Sequence, residues 1–488
     1  MKIFKTFALS GLMLLGVLGA KAQAIVHVDV SDVQELTAEN KASADKIIEL
    51  DQQFDMDTAN KEFAKLLKKN AKNKEQLVST GKYFYDQNKA YCKQFAEQAY
   101  KLDPTYIPAL KLMAAVCEMR ADHGGAGQKF EEILMLDPNN TEVMLYVARV
   151  YKYVNPYVSQ EYLDKVAAID PNNMEVYRQR GDIAYSMDDY KEAAKSYETY
   201  FKGTDPKDLS VLSMENYAMS LVANQDFETC SKVCRTAQPL KENDLVLRRL
   251  TFISDMENRD TEAAKESIKY ITENPYEYED SLYIYRDYAY AASYAKGEGE
   301  YQQALDFYKK GIERDSTQYL AYKDMATLYR QLKQPTEAIE CYQKYLDSRG
   351  DKADLTDLRG MVQCYIAAKE AAPTLAEKMP YVEKGDAICE RIMTEKPDSY
   401  QGPWYRAQLW TLDTQNAEEK PFTYYKQVLD IIGENPDYDA QISRAATYLA
   451  FYYVKKNDAT NCWTYTQKAL KYDPENSVAL QLKKALGK

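Results

Sequence analysis

The chain has 488 residues, 28% of them charged, with only 18 glycines and 16 prolines. So few turn-formers leave little room for a turn-rich β architecture. The formal net charge of −12 argues against nucleic acid or an anionic membrane surface as a partner, although a local basic groove is compatible with it.

Met1 to Ala22 reads as an export signal. Lys2 and Lys5 precede an apolar run over Phe7 to Ala20, and Ala20-Lys21-Ala22 has the small-x-small cleavage pattern. No cysteine follows the run, which argues against a lipoprotein anchor. No later segment approaches the roughly 20 consecutive apolar residues of a membrane helix. The expectation is an exported protein, periplasmic or extracellular and not membrane-spanning, whose mature form loses three lysines and carries −15. Residues 23–57 form an N-terminal arm and the start of capping helices. Ile25, Val26, Val28 and Val30 are compatible with a short strand, a flexible arm or no fixed structure, and Lys41 to Leu50 and Thr58 to Asn70 read as helices. Asp51, Asp55 and Asp57 lack the glycine and closing Glu of a calcium loop, and Asp57 reads as a helix N-cap.

The stretch Val176 to Pro206 shows how the remainder is organised. Tyr177, Gly181, Ala184 and Tyr185 fall on one helical face, Asp188 and Asp189 interrupt, and Tyr190, Ala193, Ala194, Tyr197 and Phe201 fall on one face of a second helix. Small residues bracketed by aromatics predict two helices in close crossing. One such pair cannot bury its own apolar stripe and requires neighbours. Helix-ending signals recur at Pro104, Pro138, Pro171, Pro206 and Pro239, spaced 34, 33, 35 and 33 residues apart, and again at Pro275, Pro397, Pro436 and Pro474. Two helices per period of about 34 residues predict a solenoid.

The chain resembles the tetratricopeptide repeat family through Tyr177, Gly181, Tyr185, Ala193, Tyr197 and Pro206, and again through Tyr322, Ala326, Tyr329, Ala338 and Tyr342. Weaker versions use Tyr288, Ala292, Tyr301, Ala304 and Tyr308, or Leu449, Ala450, Tyr453, Cys462 and Ala469. The resemblance implies an all-α, right-handed α-solenoid. About eleven antiparallel helix hairpins span residues 58–474, and Val478, Leu482 and Leu486 in 475–488 mark a C-terminal capping helix. Departures are expected at Glu370 to Pro380 and Asp413 to Pro421, read as lengthened loops, and at Gln408, where a small residue belongs.

Chemistry-bearing motifs are sparse. Of the eight cysteines, Cys92, Cys230 and Cys462 take the slot of Ala193, and Cys234 and Cys389 that of Tyr197, so they read as buried thiols. Cys364 and Cys389 are the pair to check for a bridge. His27 and His123 lack a nucleophile in a readable context, and the glycine run after His123 lacks the Gly-Lys-Ser/Thr order of a phosphate loop and reads as an inter-helix turn placing Ala126 at the crossing. No catalytic residue, metal or cofactor is assigned, and the chain is expected not to be an enzyme.

Tyrosine is over-represented, with 43 residues and a dense run from Tyr276 to Tyr301. Tyr278, Tyr283, Tyr285 and Tyr290 exceed what the repeat motif needs and are candidates to line a groove. The resemblance places first helices on the concave face, with Lys111, Arg149, Lys152, Arg178, Arg286, Lys323 and Arg330 projecting there, and Tyr405, Leu409, Thr447 and Phe451 nearer the C-terminus. Paired Lys and Asn of the family's carboxylate clamp are absent, because Ala115 follows Lys111 and Thr327 follows Lys323. The functional expectation is a non-enzymatic scaffold of the bacterial envelope, holding a partner protein or extended peptide on its concave face. The alternative is a glycan- or peptide-capturing protein feeding an outer-membrane uptake system.

Overall fold

The computed structural model describes residues 28–152, 154–412 and 418–487, so the stretch Met1 to Ala22, expected to be an export signal, lies outside the described residues. The chain divides into two compact units, Met1–Tyr276 and Glu277–Lys488. The described residues hold α-helices and short 3-10 turns and no strand.

In the first unit the hairpins are α1 (Ala38–Gln52) with α2 (Met56–Asn70), α3 (Lys74–Asp86) with α4 (Cys92–Leu102), α5 (Ile107–Met119) with α6 (His123–Leu136), and α7 (Thr141–Tyr151) with α8 (Pro156–Ile169). They continue as α9 (Met174–Ser186) with α10 (Tyr190–Gly203), α11 (Val211–Ala223) with α12 (Phe227–Ala237), and α13 (Leu245–Asn258) with the broken second helix α14 (Thr261–Ser267) and α15 (Lys269–Thr272). The second unit has α16 (Tyr285–Gly297) with α17 (Tyr301–Arg314), α18 (Leu320–Gln331) with α19 (Pro335–Arg349), and α20 (Leu355–Ala371) with α21 (Leu375–Glu395). It closes with α22 (Gln401–Trp410) paired to α23 (Glu419–Ile432), α24 (Asp439–Lys455) paired to α25 (Ala459–Tyr472), and α26 (Ser477–Ala485) packed on α24 and α25. Within each unit every second helix also packs on the next first helix, so hairpins stack in series.

Local chemistry repeats with the hairpins. Inside many of them one residue takes a left-handed conformation, as Ala121, Asp188, Gln225, Arg259 and Asn457 do. An aspartate follows immediately and caps the next helix. Asp189 accepts from the Glu192 amide at 3.1 Å, and Asp226 from the Thr229 amide at 3.1 Å. Between hairpins an Asp-Pro step closes the helix. Asp103, Asp137, Asp170 and Asp473 all sit at C-caps with ψ between 85° and 96°, because a following proline excludes the helical conformation.

At the crossing of α9 and α10, a Cβ on Gly181 would stand 2.6 Å from the Tyr197 ring. Ala193, Ala304, Ala326 and Ala338 are wholly buried where paired helices meet, and so is Cys230. All eight cysteines are free thiols and all but Cys117 are buried, so Cys364 and Cys389 form no bridge.

Several expectations move. The helices expected over Lys41 to Leu50 and Thr58 to Asn70 are α1 and α2, each starting two or three residues earlier, and they pair as a full hairpin. Asp55, not Asp57, caps α2, accepting from the Thr58 amide at 3.2 Å. Of the glycines after His123, Gly124 and Gly125 lie in the first turn of α6, which Asp122 caps, and Gly127 just beyond it, none of them in a turn between helices. The lengthened loop at Glu370 to Pro380 is mostly helix: α20 runs to Ala371 and α21 starts at Leu375 with Pro380 inside it, closed by a Thr374–Glu377 capping box. Of Asp413 to Pro421, residues 413–417 lie outside the described residues. In α22 the buried small residue is Ala407, one position before Gln408. The terminal helix α26 buries Ala479 and leaves Val478 exposed, so its inner edge is rotated from the expected stripe.

Candidate functional site

In the first unit the expected cationic positions are neutralised by carboxylates on the same or the next first helix. Lys111 on α5 is buried and donates to Glu142 of α7 at 2.8 Å. Arg149 on α7 donates to Glu175 of α9 at 3.0 Å, and Lys152 stands 3.9 Å from Asp182. Arg178 donates to Glu175 at 2.6 Å and to Asp182 at 2.9 Å, and reaches Ser213 of α11 at 3.4 Å. Burial opposes ionisation of Glu175, but the hydrogen bonds and charge of Arg178 outweigh it and hold the carboxyl below its usual range. These cations therefore link successive hairpins, and Lys111 does not project.

In the second unit the first helices of four successive hairpins frame a groove of about 370 Å³. Arg330 comes from α18; Gln363, Ile366, Ala367 and Glu370 from α20; Trp404, Tyr405 and Gln408 from α22; and Arg444 from α24. Helical spacing explains the set: Gln363, Ala367 and Glu370, or Trp404 and Gln408, share one face. Arg330 donates to the Gln363 carbonyl at 3.2 Å, and the Gln363 amide reaches the Tyr405 hydroxyl at 3.5 Å. Arg444 is exposed and lies 5.5 Å from the Trp404 ring. Trp404 is itself held edge-on by Tyr400 and Tyr425. Neither Arg330 nor Arg444 enters an ion pair among the described residues, in contrast to the first-unit cations.

Beside this groove a buried lysine closes the end of a helix. Lys369 is buried and its amine donates to the carbonyls of Gln408 at 2.9 Å and Thr411 at 3.2 Å, closing the short helix α22. Burial, with no carboxylate bonded to it, pushes its pKa down.

Lys323 is engaged by Asp357 at 3.1 Å, Arg286 is half-buried on α16, and Phe451 is half-buried with Lys455 lying 5.4 Å from its ring. Leu409 is wholly buried against Gly385 and cannot contribute to a surface. The tyrosine-rich stretch is largely packing: Tyr283 and Tyr288 are buried, Tyr283 contacts both Tyr278 and Tyr288 ring to ring, and Tyr285 fills the space beside Gly311. His123 faces the buried Glu118 at 3.0 Å. Among the described residues no group of three or more His, Cys, Asp or Glu is placed to hold a metal, and no helix is long and apolar enough to cross a membrane.

Arg330 and Tyr405, both expected on the inner face from the sequence, line this groove. Gln363, Gln408 and Arg444 line it as well but were not expected there. The signal for Gln408 was its misfit to the repeat motif, since a polar residue in the crossing slot shows that α22 is turned by one position.

No family model matches the chain. Over 166 residues it is 28% identical to a DnaJ homolog subfamily C member 7 homolog of Schizosaccharomyces pombe, a match covering 30% of this chain and 35% of that protein. The chain thus spans about a third of the length of that curated relative. Among solved structures it is similar to the C-terminal part of a TPR repeat-containing protein from Cytophaga hutchinsonii, at 18% identity and a TM-score of 0.45, covering 55% of this chain and 98% of that one. A tetratricopeptide repeat protein from Parabacteroides merdae matches at 13% identity and a TM-score of 0.33, covering 52% and 98%. The hairpins themselves, with Gly181 against Tyr197 and their serial stacking, make each unit an all-α array of helix pairs.

Proposed function

We propose that the protein is an exported, non-enzymatic interaction module of the bacterial envelope that holds an extended segment of a partner protein in the groove of its second unit. The observation that carries the reading is that Arg330 and Arg444, outside any ion pair among the described residues, bracket two glutamine amides and two aromatic rings across four hairpins. A primary amide can both donate to and accept from a peptide backbone, so Gln363 and Gln408 suit an extended chain of almost any sequence. Guanidinium groups at each end favour a carboxylate-bearing one. The open, shallow shape suits a strand-like ligand lying along the groove. Export rests on the sequence of Met1 to Ala22, with its basic start, apolar run and small-x-small end.

A photo-crosslinking residue at Ala367, introduced into the full chain in cells that produce it, tests this. A defined protein crosslinked there, and lost on Arg330→Glu with Arg444→Glu while helicity is kept, supports the reading. Oligosaccharide bound at the groove with no protein crosslink replaces it with the capture alternative.

A further inference from the structure

In the first unit a non-helical segment of the chain packs against first helices. Residues 28–36 are not helical; they run as an irregular segment into Thr37, the N-cap of α1. The segment lies on the first helices of three successive hairpins. The Val28 amide donates to the Tyr85 hydroxyl of α3 at 3.3 Å, and the Asp29 amide donates to the Tyr146 hydroxyl of α7 at 2.8 Å. Gln76 and Ser79 of α3 donate to the carbonyls of Glu35 and Gln34 at 3.0 and 2.5 Å. Asp32 stands 3.9 Å from Lys111 of α5.

Side chains follow the alternation that the sequence shows. Val28 and Val30 are 0% and 2% exposed and join the core cluster of Leu77, Leu110 and Tyr146, whereas Asp29 and Ser31 are exposed. Tyr85 and Tyr146 are themselves 7% and 8% exposed. These contacts read a backbone and alternate side chains, which is how a surface recognises an extended peptide. They differ from the helix-on-helix packing that builds the rest of the unit.

We infer that this face of the first unit is a binding site for an extended peptide of alternating β-branched and acidic residues, and that the arm is its resident, displaceable occupant. A tethered occupant acts at an effective concentration on the order of millimolar, so a free peptide of the same chemistry is excluded until the arm lets go. The site is separate from the second-unit groove, and its failure would leave that reading untouched.

The test uses the full chain carrying Val28→Asp and Val30→Asp, with fluorescein-labelled VDVSDVQE, the sequence of residues 28–35, as the probe. The variant is expected to bind the probe about tenfold or more tightly than the unaltered chain, because the tether no longer competes. A probe with aspartate in place of both valines at positions 28 and 30 is expected not to bind. Adding Tyr85→Phe and Tyr146→Phe to the variant should weaken the true probe about fivefold per hydroxyl, the usual worth of one neutral hydrogen bond. Absence of probe binding at millimolar concentration with helicity intact overturns the inference. So does loss of amide protection across α3 to α7 in the variant, since the arm would then be part of the core and not a ligand.

Discussion

Gly181→Ala isolates the close crossing on which each hairpin depends. The added Cβ would stand 2.6 Å from Cδ1 and Cε1 of Tyr197, whereas carbon atoms rest at about 3.5–4.0 Å, so the ring must retreat by roughly 1 Å. It has nowhere to go. Tyr197 is wholly buried, and its hydroxyl donates to Asp182 at 2.6 Å, which in turn accepts from Arg178. Overpacking of this kind costs about 1–3 kcal/mol, against a gain of about 0.5–1 kcal/mol for replacing a helical glycine by alanine. The net expectation is a loss of about 0–2.5 kcal/mol. Gly297, the last residue of α16, is the control, because a Cβ there meets nothing within 4 Å. Gly297→Ala should be neutral or stabilising by up to about 1 kcal/mol. Repeat arrays do not unfold as one two-state unit, so the appropriate assay is native-state hydrogen exchange, read at α9 and α10 for the first variant and at α16 for the second. Equal protection changes of the same sign in both would refute the packing argument.

Other outcomes follow from the same contacts. Arg178→Glu should lower protection of α9 and α11 by about 2–4 kcal/mol, because it breaks a partly buried network with Glu175 and Asp182; retained protection would show that the charges on this face are dispensable. Lys369→Met should loosen α22 by about 1–3 kcal/mol by orphaning the Gln408 and Thr411 carbonyls, with exchange in α22 as the readout. Burial, and then the adjoining Asp244, push the Glu215 carboxyl up to about 8, so its folded form holds a proton that the unfolded chain has released. Its contribution to first-unit stability is therefore full below about pH 4.5 and declines as pH rises toward 8. Glu215→Gln should flatten that slope in the exchange protection of α11 taken, relative to intrinsic rates, at pH 5, 6.5 and 8, and an unchanged slope would assign the dependence elsewhere. Alkylation of the native chain should reach Cys117 first, since the other thiols are buried; faster labelling of Cys230 or Cys389 would contradict their placement.

Periodicity alone determined that this chain is a series of helix pairs, since apolar spacing, aspartate caps and Asp-Pro stops are local signals acting within a few residues. It even located Gly181 and Ala193 at the contact, because small residues flanked by rings have one economical use in paired helices. The sequence could not say which charges meet. Arg149 and Arg330 have similar neighbours along the chain, yet one is neutralised by Glu175 on the next hairpin and the other faces an amide. That outcome depends on what the following first helix presents some 26 to 33 residues later. Nor could the alternating valines reveal that Val28 and Val30 are buried on first helices as distant as α7, because their partners Tyr85 and Tyr146 come together only when the hairpins stack. Short-range spacing fixes each element, whereas pairing across repeats is settled by the geometry of stacking.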